Sequence, residues 1–221
     1  MSYQDFIDLL SQVSPIAWIC VAIFLAFIFC GRKSKPEAGS KDQDWNNRAG
    51  AAGEQKILNL LRQSGYEVLH DLVFRRPDGG TVQIDIAARS RTGEIYILEV
   101  KMFAGKIVTT SDPQYWTHNM KNGQTRRILN PMVQVEWQAE AVRQRTGYEP
   151  RCFAVNAGRA SFPAGIIDWN QLIGKLKSVS CGEINTDRAW KQMQSWQTST
   201  SAANQNLSKE HVRRVKAKWN K

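Results

Sequence analysis

Regular alternation of apolar and polar positions begins after about residue 45. "NNRAGAAGEQKILNLLRQSG" places Ile57, Leu58, Leu60 and Leu61 on one side of a helix, with Gly65 as its C-cap. "EVLHDLVF" then reads as a strand and "RRPDGG" as a turn, by its proline and paired glycines. "TVQIDIAARS" and "GEIYILEVKMFAG" are two further strands. A polar stretch, "SDPQYWTHNMKNGQTRR", precedes a second helix, "NPMVQVEWQAEAVRQRTG". Asn130 caps that helix, Pro131 takes its first position, Val133, Trp137 and Val142 mark its apolar side, and Gly147 closes it. "RCFAVNAG" predicts another strand and "DWNQLIGKLKS" a short helix capped by Asp168. From Ser195 the Ser, Thr, Asn and Gln residues read as a linker. The tail "SKEHVRRVKAKWNK" predicts a basic helix with Val212, Val215 and Trp219 on one side. No internal repeat is present.

Two of these strands carry charges among their aliphatics: Asp85 in the first, Glu99 and Lys101 in the second. The connection Arg91-Thr92-Gly93 fits a three-residue hairpin loop with glycine in the left-handed position. Such a loop pairs Ser90 with Glu94 and, carried down the ladder, Asp85 with Glu99. Opposed residues on one face have β-carbons about 5 Å apart. Strand parity adds Gln83, Lys101, Ile95 and Ile97 to that face and sends Ile84, Ile86, Leu98 and Val100 to the other. Facing carboxylates repel unless something resolves their charge. One solution is a hard divalent cation, Mg²⁺ or Mn²⁺, which accepts carboxylate oxygens and leaves positions for water and phosphate. Lys101 would then aim a compact positive charge at the same ligand. The bland alternative is an ion pair from Lys101 to one acid, with the other solvated at a sheet edge.

The 221 residues suit one α/β or α+β domain with attachments. Thirty Lys and Arg against 20 Asp and Glu give a net charge of +10, which favours an anionic partner: nucleic acid or an acidic membrane face. The four cysteines show no CxxC spacing and no nearby histidine pattern, which argues against a zinc site or a disulfide framework. Leu9 to Cys30, "LLSQVSPIAWICVAIFLAFIFC", approaches the roughly 20 apolar residues of a spanning helix, with Trp18 near the interface. "GRKSK" follows it, whereas Asp5 and Asp8 precede it without any Lys or Arg. The positive-inside rule thus predicts a single-pass protein, N-terminus outside and remainder cytoplasmic. A cleaved signal peptide would want a basic start and small residues at its cleavage site. The expected divisions are an anchor over 1–31, a tether over 32–45, a folded domain over 46–178, and a polar and basic extension over 179–221.

A helix with "GAAGE", a strand with "QID", a strand ending "LEVK" plus "FAG", and "NPMVQ" opening a helix together resemble the NERD, or nuclease-related domain, family. That family is similar to the PD-(D/E)xK nuclease superfamily. The resemblance spans about Arg48 to Val135. It implies an α/β fold, a restriction-endonuclease-like core of mixed sheet flanked by helices, here behind the N-terminal transmembrane helix. It also implies an active-site set of Glu54, Asp85, Glu99 and Lys101. Asp85 and Glu99 would hold Mg²⁺ or Mn²⁺, Glu54 would complete the metal shell, and Lys101 would assist the attacking water. Gln134 matches the family's helix glutamine and would touch substrate or solvent. Ile84 stands where the superfamily name has proline.

The resulting expectation is a membrane-anchored, metal-dependent nuclease at a bacterial inner membrane, acting on DNA more readily than RNA. Two rivals are a silent nucleic-acid-binding module and an interaction protein whose tail docks a partner or the anionic leaflet. Tyr115 and Trp116, ahead of Lys121, Arg126 and Arg127, read either as a base-stacking patch or as a loop anchored by a buried tryptophan.

Overall fold

Seven consecutive strand residues with hardly an exposed side chain, Ile95–Lys101, mark the middle of the fold. The computed structural model describes residues 38–180 and 182–219. In chain order its elements are α1 (Ala38–Gln63), β1 (Glu67–Arg75), β2 (Thr81–Arg89), β3 (Ile95–Lys101), β4 (Lys106–Thr109), β5 (Tyr115–Asn119) and β6 (Thr125–Leu129). There follow α2 (Pro131–Thr146), β7 (Arg151–Asn156), β8 (Ile167–Asp168), α3 (Leu172–Val179), α4 (Asp187–Gln194), a 3₁₀ turn (Thr198–Thr200) and α5 (Ala202–Trp219). Residues 46–221 make one compact unit.

The main sheet runs β1-β2-β3-β7-β8. Its first three strands are antiparallel, while β3–β7 and β7–β8 are parallel. Parallel pairing needs a long return, and the chain between β3 and β7 supplies it with a three-stranded sheet, β4-β5-β6, and α2. Helices cover both faces, which is why β3 reads as a nearly continuous apolar run. On one face Ile57 and Leu61 of α1 and Leu172 and Leu176 of α3 pack on Ile86, Tyr96, Leu98 and Val155. On the other, Val135 and Val142 of α2 and Trp190 and Met193 of α4 pack on Ile84, Ile95, Ile97 and Ala154. The architecture is a mixed α/β sheet between helical layers.

The hairpin forms in the expected register: Ile86 faces Leu98 and Arg89 faces Ile95, with Gly93 at φ +91°. One expectation about faces fails. Ile84 packs with Ile95 and Ile97, not with Ile86. The alternation slips at Asp85 and, across the β1–β2 ladder, at Asp71, whose φ is +51°. Leu69 and Leu72, three apart, accordingly share one face.

Other differences have local causes. The first helix reaches back to Ala38, through residues read as tether. Trp137 is 49% exposed, and α2 packs instead through Val135, Ala139 and Val142. Asp168 does not cap α3; it ends β8 and accepts from Asn156 Nδ2 at 2.8 Å. The polar stretch before α2 contains β5 and β6, and Trp116 is buried beside Ile107, Ile128 and Ala160, as in the plain alternative. The residues read as a linker after Ser195 are packed: Trp196 stacks on Phe74 with ring centres 4.2 Å apart. The predicted anchor, Leu9 to Cys30, lies outside the described residues; among those described, no helix is long and apolar enough to cross a membrane.

Candidate active site

The slip at Asp85 ends the β2–β3 ladder just where the two strands carry their charges. Beyond the Ile86–Leu98 pair, the Asp85 carboxylate replaces a ladder carbonyl and accepts from the Val100 N–H at 3.0 Å. Glu99 stands on β3 one residue past that last pair, as Asp85 does on β2. Glu99, 1% exposed, accepts through one oxygen from Lys101 Nζ and through the other from Gln138 Nε2 at 2.7 Å. Lys101 Nζ also donates to Gln134 Oε1 at 3.2 Å.

The N-terminus of α2 aims these two glutamines. Asn130 accepts from the Met132 N–H at 3.0 Å and donates through Nδ2 to the Pro113 carbonyl at 2.9 Å, fixing where the helix starts. Gln134 and Gln138, one turn apart, then lie on one side facing β3. Gln138 Nε2 also donates to the Gln83 carbonyl at 3.0 Å and so ties β2 to β3. Its Oε1 is buried and has no hydrogen-bond partner among the described residues.

Helix α1 brings Glu54 to the rim. Gly53 makes the approach possible: a Cβ there would stand 2.9 Å from Met102 Cβ, just beyond the end of β3. Glu54, Asp85, Glu99, Lys101 and Gln134 all line one cavity of about 300 Å³. Arg126 of β6 and His211 of α5 line it as well.

Electrostatics follow from crowding acids in a partly dry place. Burial, then the charges of Glu99 and Glu54, push the Asp85 carboxyl well above the usual carboxylate range, against Lys101 and the Val100 N–H. Burial and the charges of Glu99 and Asp71 raise Glu54. Burial works to lower Lys101, but the charges of Glu99 and Asp85 outweigh it and the net shift is upward. Burial alone lowers Arg126. The cavity therefore sets three carboxyl groups against two cations, a donor set suited to a hard divalent cation whose charge would favour their ionised form. In this arrangement no three Asp, Glu, His or Cys side chains among the described residues converge tightly enough to enclose an ion. Asp85 and Glu99 are the inner pair, and Glu54 stands at the rim.

The profile of the nuclease-related domain matches residues 49–157, from α1 through β7. This stretch holds all five residues singled out by sequence. The segment belongs to the NERD family. An uncharacterized protein of Bacillus anthracis is 23% identical over 153 residues, 65% of this chain and 71% of the relative. Among solved structures, a repair endonuclease from Pyrococcus abyssi is similar with a TM-score of 0.31 and 16% identity, over 55% of this chain and 42% of that one. A protein of unknown function aligns with a TM-score of 0.29 and 11% identity, over 56% of this chain and 54% of its own. The chain thus spans about half the length of these two structures.

Three residues at the NERD site escaped sequence reasoning in this role. Gln138 had a signal, its spacing of four from Gln134. Arg126 had been counted only within a basic patch. His211 had none, because it comes from a tail read as lying outside the domain; its Nδ1 sits 3.0 Å from Thr81 Oγ1.

Proposed function

We propose that the NERD domain is a divalent-metal-dependent nuclease that hydrolyses phosphodiester bonds, in DNA before RNA. The observation that carries this reading is the convergence of Asp85, in the middle of β2, with Glu99 and Lys101 at the end of β3, open to one cavity. Asp85 and Glu99, with Glu54 beside them, would hold Mg²⁺ or Mn²⁺. Such an ion supplies charge neutralisation at phosphate and acidifies a water. The chain's own groups do the rest. Lys101, held between Glu99 and Gln134, presents an ammonium that orients the attacking water and offsets charge building on the phosphoryl oxygens. Gln138 keeps Glu99 from turning away. Arg126 offers a second cation to a neighbouring phosphate. A net charge of +10 supports nucleic acid as the partner, bound with steep salt dependence. The apolar run from Leu9 to Cys30, with Arg32, Lys33 and Lys35 behind it, supports anchoring at the cytoplasmic face of a bacterial inner membrane.

The test incubates full-length protein with supercoiled DNA or single-stranded RNA in Mg²⁺, Mn²⁺ or EDTA, beside Lys101→Ala and Asp85→Asn. Cleavage should require the metal and fall at least about 100-fold in each variant. Cleavage undiminished in both variants would sink the assignment. Binding without cleavage would favour the silent module.

A further inference from the structure

A groove of about 850 Å³ adjoins the catalytic cavity and shares Lys101, Arg126, Gln134 and His211 with it. Its walls include β6 with Arg126 and Arg127, α2 with Trp137, and α5 with His211 and Val215, together with Thr81 to Gln83 of β2 and Lys101 of β3. Two of its apolar side chains are unusually bare, Trp137 at 49% and Val215 at 39% exposure. An exposed tryptophan costs hydration free energy without packing in return, so its place at a charged groove asks for an occupant.

The cations there are not equivalent. Arg76 is engaged by Asp78, and Arg127 by Asp112 at 2.6 Å while it stacks on Tyr115. Arg126 has no carboxylate partner among the described residues. It donates from Nε to His118 Nδ1 at 3.3 Å and lies 5.1 Å from the Phe103 ring centre. A partly buried guanidinium without a counter-charge, at the junction of groove and cavity, is matched to an anion.

We propose that this groove holds a single strand of nucleic acid, with a phosphate on Arg126 and an unstacked base on Trp137, and leads that strand to Asp85 and Glu99. The inference rests on the nuclease reading and names its substrate class. The groove's volume lies within the roughly 300–1,000 Å³ of clefts that bury drug-sized ligands. Duplex bases face inward and offer Trp137 no surface, whereas every unpaired base has a free face to stack. An arginine next to an aromatic platform suits a charged backbone with unpaired bases.

The experiment measures fluorescence anisotropy of a labelled 12-nucleotide single strand, and of the same sequence as duplex, with full-length protein in EDTA at several salt concentrations. The single strand should bind at least about tenfold tighter at equal salt. Trp137→Ala should weaken it about 5- to 140-fold, Trp137→Phe far less, and Arg126→Ala should shallow the slope of log affinity against log salt by about 0.7. Circular dichroism confirms that each variant is folded. Duplex bound as tightly as the single strand, or indifference to Trp137→Ala, overturns the proposal. Because EDTA removes cleavage, the two readings fail separately. Trp137-dependent strand binding without metal-dependent cutting leaves the groove and removes the nuclease; cutting without strand preference does the reverse.

Discussion

Asp85 shows how a single side chain can work against the fold that presents it. Its carboxyl is raised by burial and by Glu99 and Glu54, so the folded chain keeps this proton to a higher pH than the unfolded chain does. The sign follows from linkage: stability from this group is fully present below the ordinary aspartate value of about 3.9 and is lost as pH climbs through the raised folded value. At neutral pH the carboxylate therefore destabilises metal-free protein. Asp85→Asn keeps an oxygen for the Val100 N–H and removes the charge. In EDTA it should be more stable than wild type at pH 7 to 8, with the gap closing toward pH 4. The same variant should lose most of any melting-temperature gain that Mg²⁺ gives the wild type. Thermal unfolding across pH, with and without the ion, reads both. Destabilisation by Asn at neutral pH would mean that Asp85 is already well compensated.

Among the elements, close approach decides what a substitution does. Gly53 lies inside α1, where alanine would ordinarily gain about 1 kcal/mol of helix propensity. Here its Cβ would meet Met102 Cβ at 2.9 Å, and overpacking costs about 1–3 kcal/mol. Gly53→Ala should therefore be destabilising by about 1 kcal/mol on denaturant unfolding and should slow cleavage by shifting Glu54. A stabilised, fully active variant would remove the reason given for that glycine. Legibility follows the same local logic. The β2–β3 hairpin and both ends of α2 are readable because their rules are short-range: a left-handed Gly93, an Asn130 cap, a Gly147 stop. The slip at Asp85 is not readable, because no local residue pattern marks it; it coincides with the left-handed Asp71 in the neighbouring strand. β4, β5 and β6 are only four or five residues long and rich in polar side chains, so they bury a tryptophan without showing a strand's alternation. The placement of Glu54 beside Asp85 came through family resemblance, since a lone acid on a helix carries no signal of its own.

For the molecule as a whole, composition misled most at the C-terminus. Ser, Thr, Asn and Gln suggested a linker, yet these residues fasten the chain back onto β1. The Trp196 carbonyl accepts from the Val73 N–H at 2.9 Å, Gln197 bridges to Leu72, and Thr198 Oγ1 donates to Asp71. Glu210 of α5 then meets Arg75 at 2.7 Å. Ending the chain after Gln194 removes the Trp196 side chain from Phe74 as well, and should lower unfolding stability by about 3–5 kcal/mol in urea titrations. An unchanged midpoint would show the tail to be ornamental. The pairing has another consequence. β1 is the outer strand of the main sheet, and an outer strand with open N–H and C=O groups is a template for a second chain. The segment at 196–198 occupies part of that template and α5 lies against the same strands. By this reasoning the tail keeps copies of the protein from joining edge to edge, so a shortened chain should elute from a sizing column as concentration-dependent aggregates rather than as a weaker monomer.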